Sequence, residues 1–190
     1  MQEVDVYYVR GKYPVFTTYL NLSAEKLNNI KERIFNYREE NRKSNVSNVK
    51  AWHSDYDTHH KTDEFDSINQ HIIDKCIAID YNFNGIKQEL QMFNMWVNIY
   101  EKGNFAILHN HHPGNYSCSY YVDVEEGCSP IKFPPDLEII PKNDMLVLFK
   151  SNVYHEVPPT NGRRICIISN LDCRDYDKKP INPPSYFLYS

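Results

Sequence analysis

Glycine is scarce in this chain, six among 190 residues, and no apolar run approaches the ~18 residues needed to span a bilayer. The N-terminus, Met1-Gln2-Glu3-Val4-Asp5, has neither a basic start nor an apolar stretch, so no signal peptide is read there. No charge of one sign dominates: 21 Lys and Arg against 25 Asp and Glu leave a net charge of −4. Without a global basic field, binding to nucleic acid through bulk electrostatics is not expected. The five cysteines, Cys76, Cys118, Cys128, Cys166 and Cys173, are odd in number and form no CxxC or zinc-ribbon spacing. They read as reduced thiols packed as small hydrophobes. These absences predict a soluble, cytoplasmic protein with no membrane partner. The compositional signature of disorder is missing as well. With 41% hydrophobic and 14% aromatic residues, the chain can bury the core of one domain, and its length is short for two.

The pattern within that single domain, 1–190, changes near residue 90. Before it lie two helix signals. Ser23 can cap a helix in which Leu27, Ile30 and Ile34 recur at helical spacing, fading by Asn41 to Asn45. A second helix starts near Asp63 and buries Phe65, Ile68, Ile72 and Cys76. From residue 91 to 172 the period is two. Phe93, Met95, Val97 and Ile99 alternate with Asn94, Trp96, Asn98 and Tyr100, a half-buried strand. Further strands are expected at Phe105–His111, Ser117–Val124, Met145–Phe149 and Arg164–Leu171, with turn signals between them. Val4–Val9 and Val15–Tyr19 can add outer strands. The sequence therefore predicts a mainly β fold, a sandwich or barrel, with helices packed outside. Residues 173–190, with Pro180, Pro183 and Pro184, read as an extended tail.

Chemistry concentrates at His109-Asn110-His111-His112. On a strand, residues i and i+2 face the same way, about 7 Å apart at Cα, so His109 and His111 can grip one metal ion. His155 is the only later histidine, and it follows the Met145–Phe149 strand after a short loop; it is the expected third ligand. His53, His59, His60 and His71 lie in the helical half and read as solvated or supporting residues, and His112 as a residue behind the ligands. Gly103-x5-His109-x-His111 fits the first half of a cupin motif. The glutamate that motif needs next is replaced by Asn115 and Tyr116, and His155 lies too far from Pro141-Lys142-Asn143 for its second half.

The whole set of motifs resembles a family of small 2-oxoglutarate/Fe(II) oxygenases. The likeness runs from Ser47 to Asn170, about two thirds of the chain. It is carried by Trp96-Val97-Asn98, His109-Asn110-His111-His112 and Ser117-Cys118-Ser119-Tyr120-Tyr121-Val122. Leu148-Phe149-Lys150-Ser151, His155-Glu156-Val157-Pro158 and Arg164-Ile165-Cys166-Ile167-Ile168-Ser169-Asn170 complete it in order, with Ser54 matching an upstream element.

The resemblance implies a double-stranded β-helix (jelly-roll) core. It implies an oxidoreductase that cleaves 2-oxoglutarate with dioxygen to succinate and carbon dioxide while hydroxylating an unidentified substrate, a small molecule or peptide. Fe(II) would be held by His109, His111 and His155. Most such oxygenases carry Asp or Glu at the middle position, and Asp123 and Glu125 are the nearest downstream carboxylates. Three neutral imidazoles would leave the metal its full dipositive charge until the dianionic cosubstrate arrives, which admits other metals, zinc among them. Arg164, nine residues after His155, stands where these enzymes anchor the far carboxylate with a planar two-donor fork; Arg163 faces the other way on a regular strand. Tyr121, Asn98 and Ser117 are cosubstrate contacts by the same likeness, or aromatic and polar residues of the sheet, while Cys166 replaces a family serine and Trp96 packs. Two other readings stay open: a cupin-like metal enzyme that uses no 2-oxoglutarate, and a non-catalytic jelly-roll module binding through Tyr7, Tyr8, Tyr13, Tyr186, Phe187 and Tyr189. A homodimer is open as well.

Overall fold

Both helices begin where a side-chain oxygen meets an orphan backbone N–H. In the computed structural model, which describes residues 3–42, 48–85 and 89–173, Ser23 accepts from Lys26 N at 3.2 Å and opens α1 (Ala24–Glu40). Thr62 accepts from Phe65 N at 3.3 Å and opens α2 (Asp63–Asn84). Such caps are worth about 1 kcal/mol each. Helix α2 also gathers Asp63, Glu64 and Asp66 in its first turn, against the positive end of the dipole, and stops at Gly85, whose φ of 71° closes the last turn.

Among the described residues, twelve strands follow the expected period-two segments and add to them. The long ones are β1 (Asp5–Val9), β2 (Tyr13–Tyr19), β5 (Leu90–Tyr100), β6 (Phe105–His109), β7 (Tyr116–Val124), β10 (Met145–Lys150) and β12 (Arg164–Cys173). Five short ones went unread in the sequence: β3 (Val49–Lys50), β4 (Trp52–His53), β8 (Ile131–Phe133), β9 (Leu137–Ile139) and β11 (His155–Val157). A seven-stranded sheet runs β1-β2-β10-β7-β12-β5-β4, and a five-stranded sheet runs β3-β6-β11-β8-β9. They face each other as the expected double-stranded β-helix.

Alternation along the strands sorts two cores. Val97, Ile99, Leu146, Leu148, Ile165 and Ile167 pack with Ile34, Phe65, Ile68 and Ile72 of the helices on one face of the large sheet. Trp96, Tyr100, Val147, Phe149, Cys166 and Ile168 pack with Phe133 and Val157 between the sheets. The expectation of a half-buried β5 is corrected here, because residues 95–100 are buried on both faces, under helices on one side and the second sheet on the other. The Phe105–His111 strand is also shorter than expected. It ends at His109, and His111 lies beyond it, with its backbone N–H donated to Ser151 O at 2.8 Å. The five cysteines are free thiols. No helix among the described residues is long and apolar enough to cross a membrane. The tail expected over 173–190 lies outside the described residues from 174 onward, as do Tyr186, Phe187 and Tyr189.

Candidate metal centre

Strand pairing delivers two of the three histidines to one place. His155 on β11 is the antiparallel partner of His109 on β6, so the ladder itself sets their separation, with ring centroids 4.3 Å apart. His111 arrives from the turn after β6, with its ring 5.1 Å from His109 and 4.9 Å from His155. Candidate ligand nitrogens of all three lie within 4.8 Å of one another. Convergence at His111 thus comes from the turn held by Ser151, not from i and i+2 on one strand.

Each ring has its Nδ1 committed to an oxygen. His109 Nδ1–H donates to Ile107 O at 2.7 Å and His155 Nδ1–H to Val153 O at 3.2 Å. His111 Nδ1–H donates to Asn170 Oδ1 at 2.8 Å, with Ser117 Oγ at 3.1 Å. The carbonyl and amide oxygens accept only, so the proton sits on Nδ1 and each Nε2 keeps its lone pair. Asn170 is oriented in turn by Nδ2–H donation to Asn94 Oδ1 at 2.9 Å. Desolvation lowers all three histidine pKa values. His111 falls to about 3, by burial first and then by the His109 charge, against the hydrogen bond to Asn170. His109 is lowered by burial, and His155 falls well below its usual value by burial and by its two neighbours. Three neutral imidazoles with free Nε2 atoms fit a divalent transition metal such as Fe(II) or Zn(II).

The histidines border a cavity of about 380 Å³, between the two sheets. One face of β12 and β5 lines it in register: Arg164 beside Tyr100, Cys166 beside Asn98, Ile168 beside Trp96, and Asn170 beside Asn94. Arg164 is 2% exposed. Its guanidinium lies 4.4 Å from the Tyr100 ring and 5.7 Å from the Tyr121 ring. It donates to Ser129 O at 3.1 Å, while its Nε–H has no acceptor, and no described carboxylate pairs with it. A buried cation without an anion is costly, which makes Arg164 a ready counter-charge for a bound carboxylate. Arg163 points elsewhere, paired with Asp123 at 3.2 Å and Glu125 at 2.8 Å. Asp123 also takes Lys31 at 2.8 Å, so neither carboxylate is turned to the histidines.

The other expected contacts divide. Asn98 lines the cavity, with its Oδ1 buried and unpartnered. Tyr121 is buried beside Arg164, but is not part of the cavity wall. Ser117 lies behind His111 and off the cavity wall, where its hydroxyl donates to Asn170 Oδ1 at 2.6 Å and meets Ser151 Oγ at 2.8 Å. His112 is exposed, while His59, His60 and His71 sit away from this cavity. His53, read as a solvated or supporting residue, is buried on β4 and lines it, its ring stacked on Trp96 at 5.6 Å. Trp96 packs as expected, yet its ring also stands 5.5 Å from His111. Tyr56, Tyr100, Asn94 and Asn170 are wall residues that sequence reasoning passed over. The alternation along β5 and β12 that put Asn98 and Arg164 on one face was the signal for the last three.

No family model matches the chain, and no curated protein is similar to it in sequence. Solved structures are similar in fold. A prolyl-4-hydroxylase from Pseudomonas putida superposes with a TM-score of 0.66 at 17% identity, over 86% of this chain and 95% of that one. The viral collagen prolyl hydroxylase of Paramecium bursaria Chlorella virus-1, in its 2-oxoglutarate complex, gives 0.63 at 15% identity over 85% and 97%. A prolyl hydroxylase from Trichoplax adhaerens, in complex with a hypoxia inducible factor peptide fragment, gives 0.63 at 17% over 83% of each chain. The double-stranded β-helix of 2-oxoglutarate/Fe(II) oxygenases is the fold of this chain.

Proposed function

We propose that the chain is an Fe(II)- and 2-oxoglutarate-dependent dioxygenase that hydroxylates a substrate C–H bond. The observation that carries this reading is the pairing, in one cavity, of three converging histidine side chains with a buried arginine that has no ion-pair partner among the described residues. When bound, the iron and 2-oxoglutarate supply the oxidative chemistry, dioxygen being spent on decarboxylation to succinate and on hydroxylation. The protein's own part is to hold and orient. His109, His111 and His155 present Nε2 because Ile107 O, Asn170 Oδ1 and Val153 O hold their Nδ1 protons. Arg164 would receive the distal carboxylate of the cosubstrate, with Tyr100 and Tyr121 packed against its guanidinium to fix the fork. Phe133 and Phe149, at 5.8 and 4.8 Å from the His155 ring, keep water from that side.

The test is anaerobic addition of 2-oxoglutarate to the Fe(II)-loaded protein, followed by the metal-to-ligand charge-transfer absorption. The band is expected in the unaltered protein, absent in His109→Ala, and reached only at tenfold or higher 2-oxoglutarate in Arg164→Ala. Iron binding without a band overturns the reading in favour of a metal enzyme that does not use 2-oxoglutarate, which the histidine at position 111 also favours.

A further inference from the structure

Resting on the oxygenase reading, we propose that the substrate itself is an anion, carrying a carboxylate or phosphate beside the metal. Without such an anion, the charges gathered in the cavity do not balance. Three imidazoles bring no charge to a divalent ion, where two histidines and a carboxylate would bring one negative charge. No Asp or Glu is among the described residues lining the cavity.

Several carboxylates on neighbouring elements are held by other partners. Asp123 and Glu125 hold Arg163, Asp144 accepts from Tyr120 Oη at 2.8 Å and Asn21 N at 2.7 Å, and Asp80 accepts from Tyr116. Asp55, close to His53, accepts from Tyr37 Oη at 3.1 Å on the helix side. Arg164 adds one positive charge. With a divalent metal and a dianionic cosubstrate in place, the cavity retains a net charge of about +1. Its walls include Trp96, Ile131, Val157 and Ile168, so that charge is poorly screened.

A monoanion closes the balance, and a cation such as a lysine side chain is rejected. Trp96 adds a donor of the right sign, since it lines the cavity and its buried indole N–H has no acceptor among the described residues.

The experiment uses the Fe(II)- and 2-oxoglutarate-loaded protein without oxygen and follows shifts of its charge-transfer band. The probes are benzoate, phenyl phosphate, benzamide and benzylammonium, of similar size and different charge. At least one anion is expected to shift the band at tenfold or more below the concentration benzamide needs, and benzylammonium to leave it unmoved. The tighter of the two anions tells a carboxylate from a phosphate. Asn110→Asp, which places a negative charge on the cavity wall and keeps the acceptor that Asn110 Oδ1 offers His112 N at 3.2 Å, should shrink the preference below threefold. Asn48→Asp, also on the wall, is the second variant. The inference is overturned if benzamide acts at the same concentration as both anions, if the anions abolish the band by displacing 2-oxoglutarate, or if the preference is unchanged in both folded variants. Failure of the band itself in the unaltered protein removes the oxygenase reading, and this inference with it.

Discussion

His111 differs from its two partners in how its ring is held. His109 and His155 give their Nδ1 protons to backbone carbonyls two residues earlier, a contact that no side-chain substitution removes. His111 depends on Asn170, and Asn170 on Asn94. On the proposed function, Asn170 would be a positioning residue for one ligand. Replacing it with Leu is expected to weaken metal affinity by about 10- to 100-fold, the usual cost of losing such a support. Asn170→Asp, which still accepts from Nδ1, should restore most of it. Competition with a chelating dye measures both, and equal affinity of the Leu variant and the unaltered protein would remove Asn170 from the site. Of this network the sequence showed the ends, His111 and the Asn170 motif, but not the bond. A 59-residue separation closes only because β12 lies beside β7, and a single sequence carries no signal of that adjacency.

At the scale of elements, the turn before β12 sets where Arg164 begins. Gly162 lies so close to the turn after β7 that a Cβ would collide with the Glu126 carbonyl. Thr160 Oγ1 and Cys128 Sγ both donate to Gly162 O, at 2.8 and 3.4 Å, and this contact brings Ser129 O to Arg164. Gly162→Ala must push the turns apart, a strain of about 1–3 kcal/mol. It should lower the unfolding midpoint in urea and loosen 2-oxoglutarate binding while leaving metal affinity unchanged. A variant with the same midpoint and the same 2-oxoglutarate affinity would show the contact to be slack. The long strands and both helices were legible because their apolar periods run for many residues. The short strands β3, β4, β8, β9 and β11 were not, since two or three residues hold no period and their pairing is decided by partners far along the chain. Hence His155 could be expected as a ligand while the strand that carries it went unread.

For the whole molecule, buried neutral histidines make stability depend on pH. The folded-state pKa of His111 is about 3, and those of His109 and His155 are also lowered, chiefly by desolvation. An unfolded chain takes up these protons near pH 6.5 and the folded one does not, so below that value protons favour unfolding. In chelator-treated protein, stability is expected to fall with pH below about 6.5, by up to about 1.4 kcal/mol per pH unit for each histidine that stays neutral. Thermal unfolding between pH 7.5 and 4.5 measures it, with His111→Gln giving a shallower decline. An equal slope in that variant would mean the ring titrates freely in the fold. Saturating metal should raise the midpoint at pH 7.5, since it binds the folded chain alone. Bound there, it would also tie the two sheets together, since His109 and His155 stand on the smaller sheet and His111 is braced by Asn170 of the larger.

The chain has two tryptophans, and they sit on opposite sides of the large sheet. Trp52 belongs to the core under the helices, its indole N–H donated to Asn41 O at 3.1 Å, whereas Trp96 stands 5.5 Å from the ring of His111. A paramagnetic ion held by that histidine would quench the emission of Trp96 far more than that of Trp52. Intrinsic fluorescence is therefore a gauge of occupancy that needs no label, with its own steady background built into the same molecule.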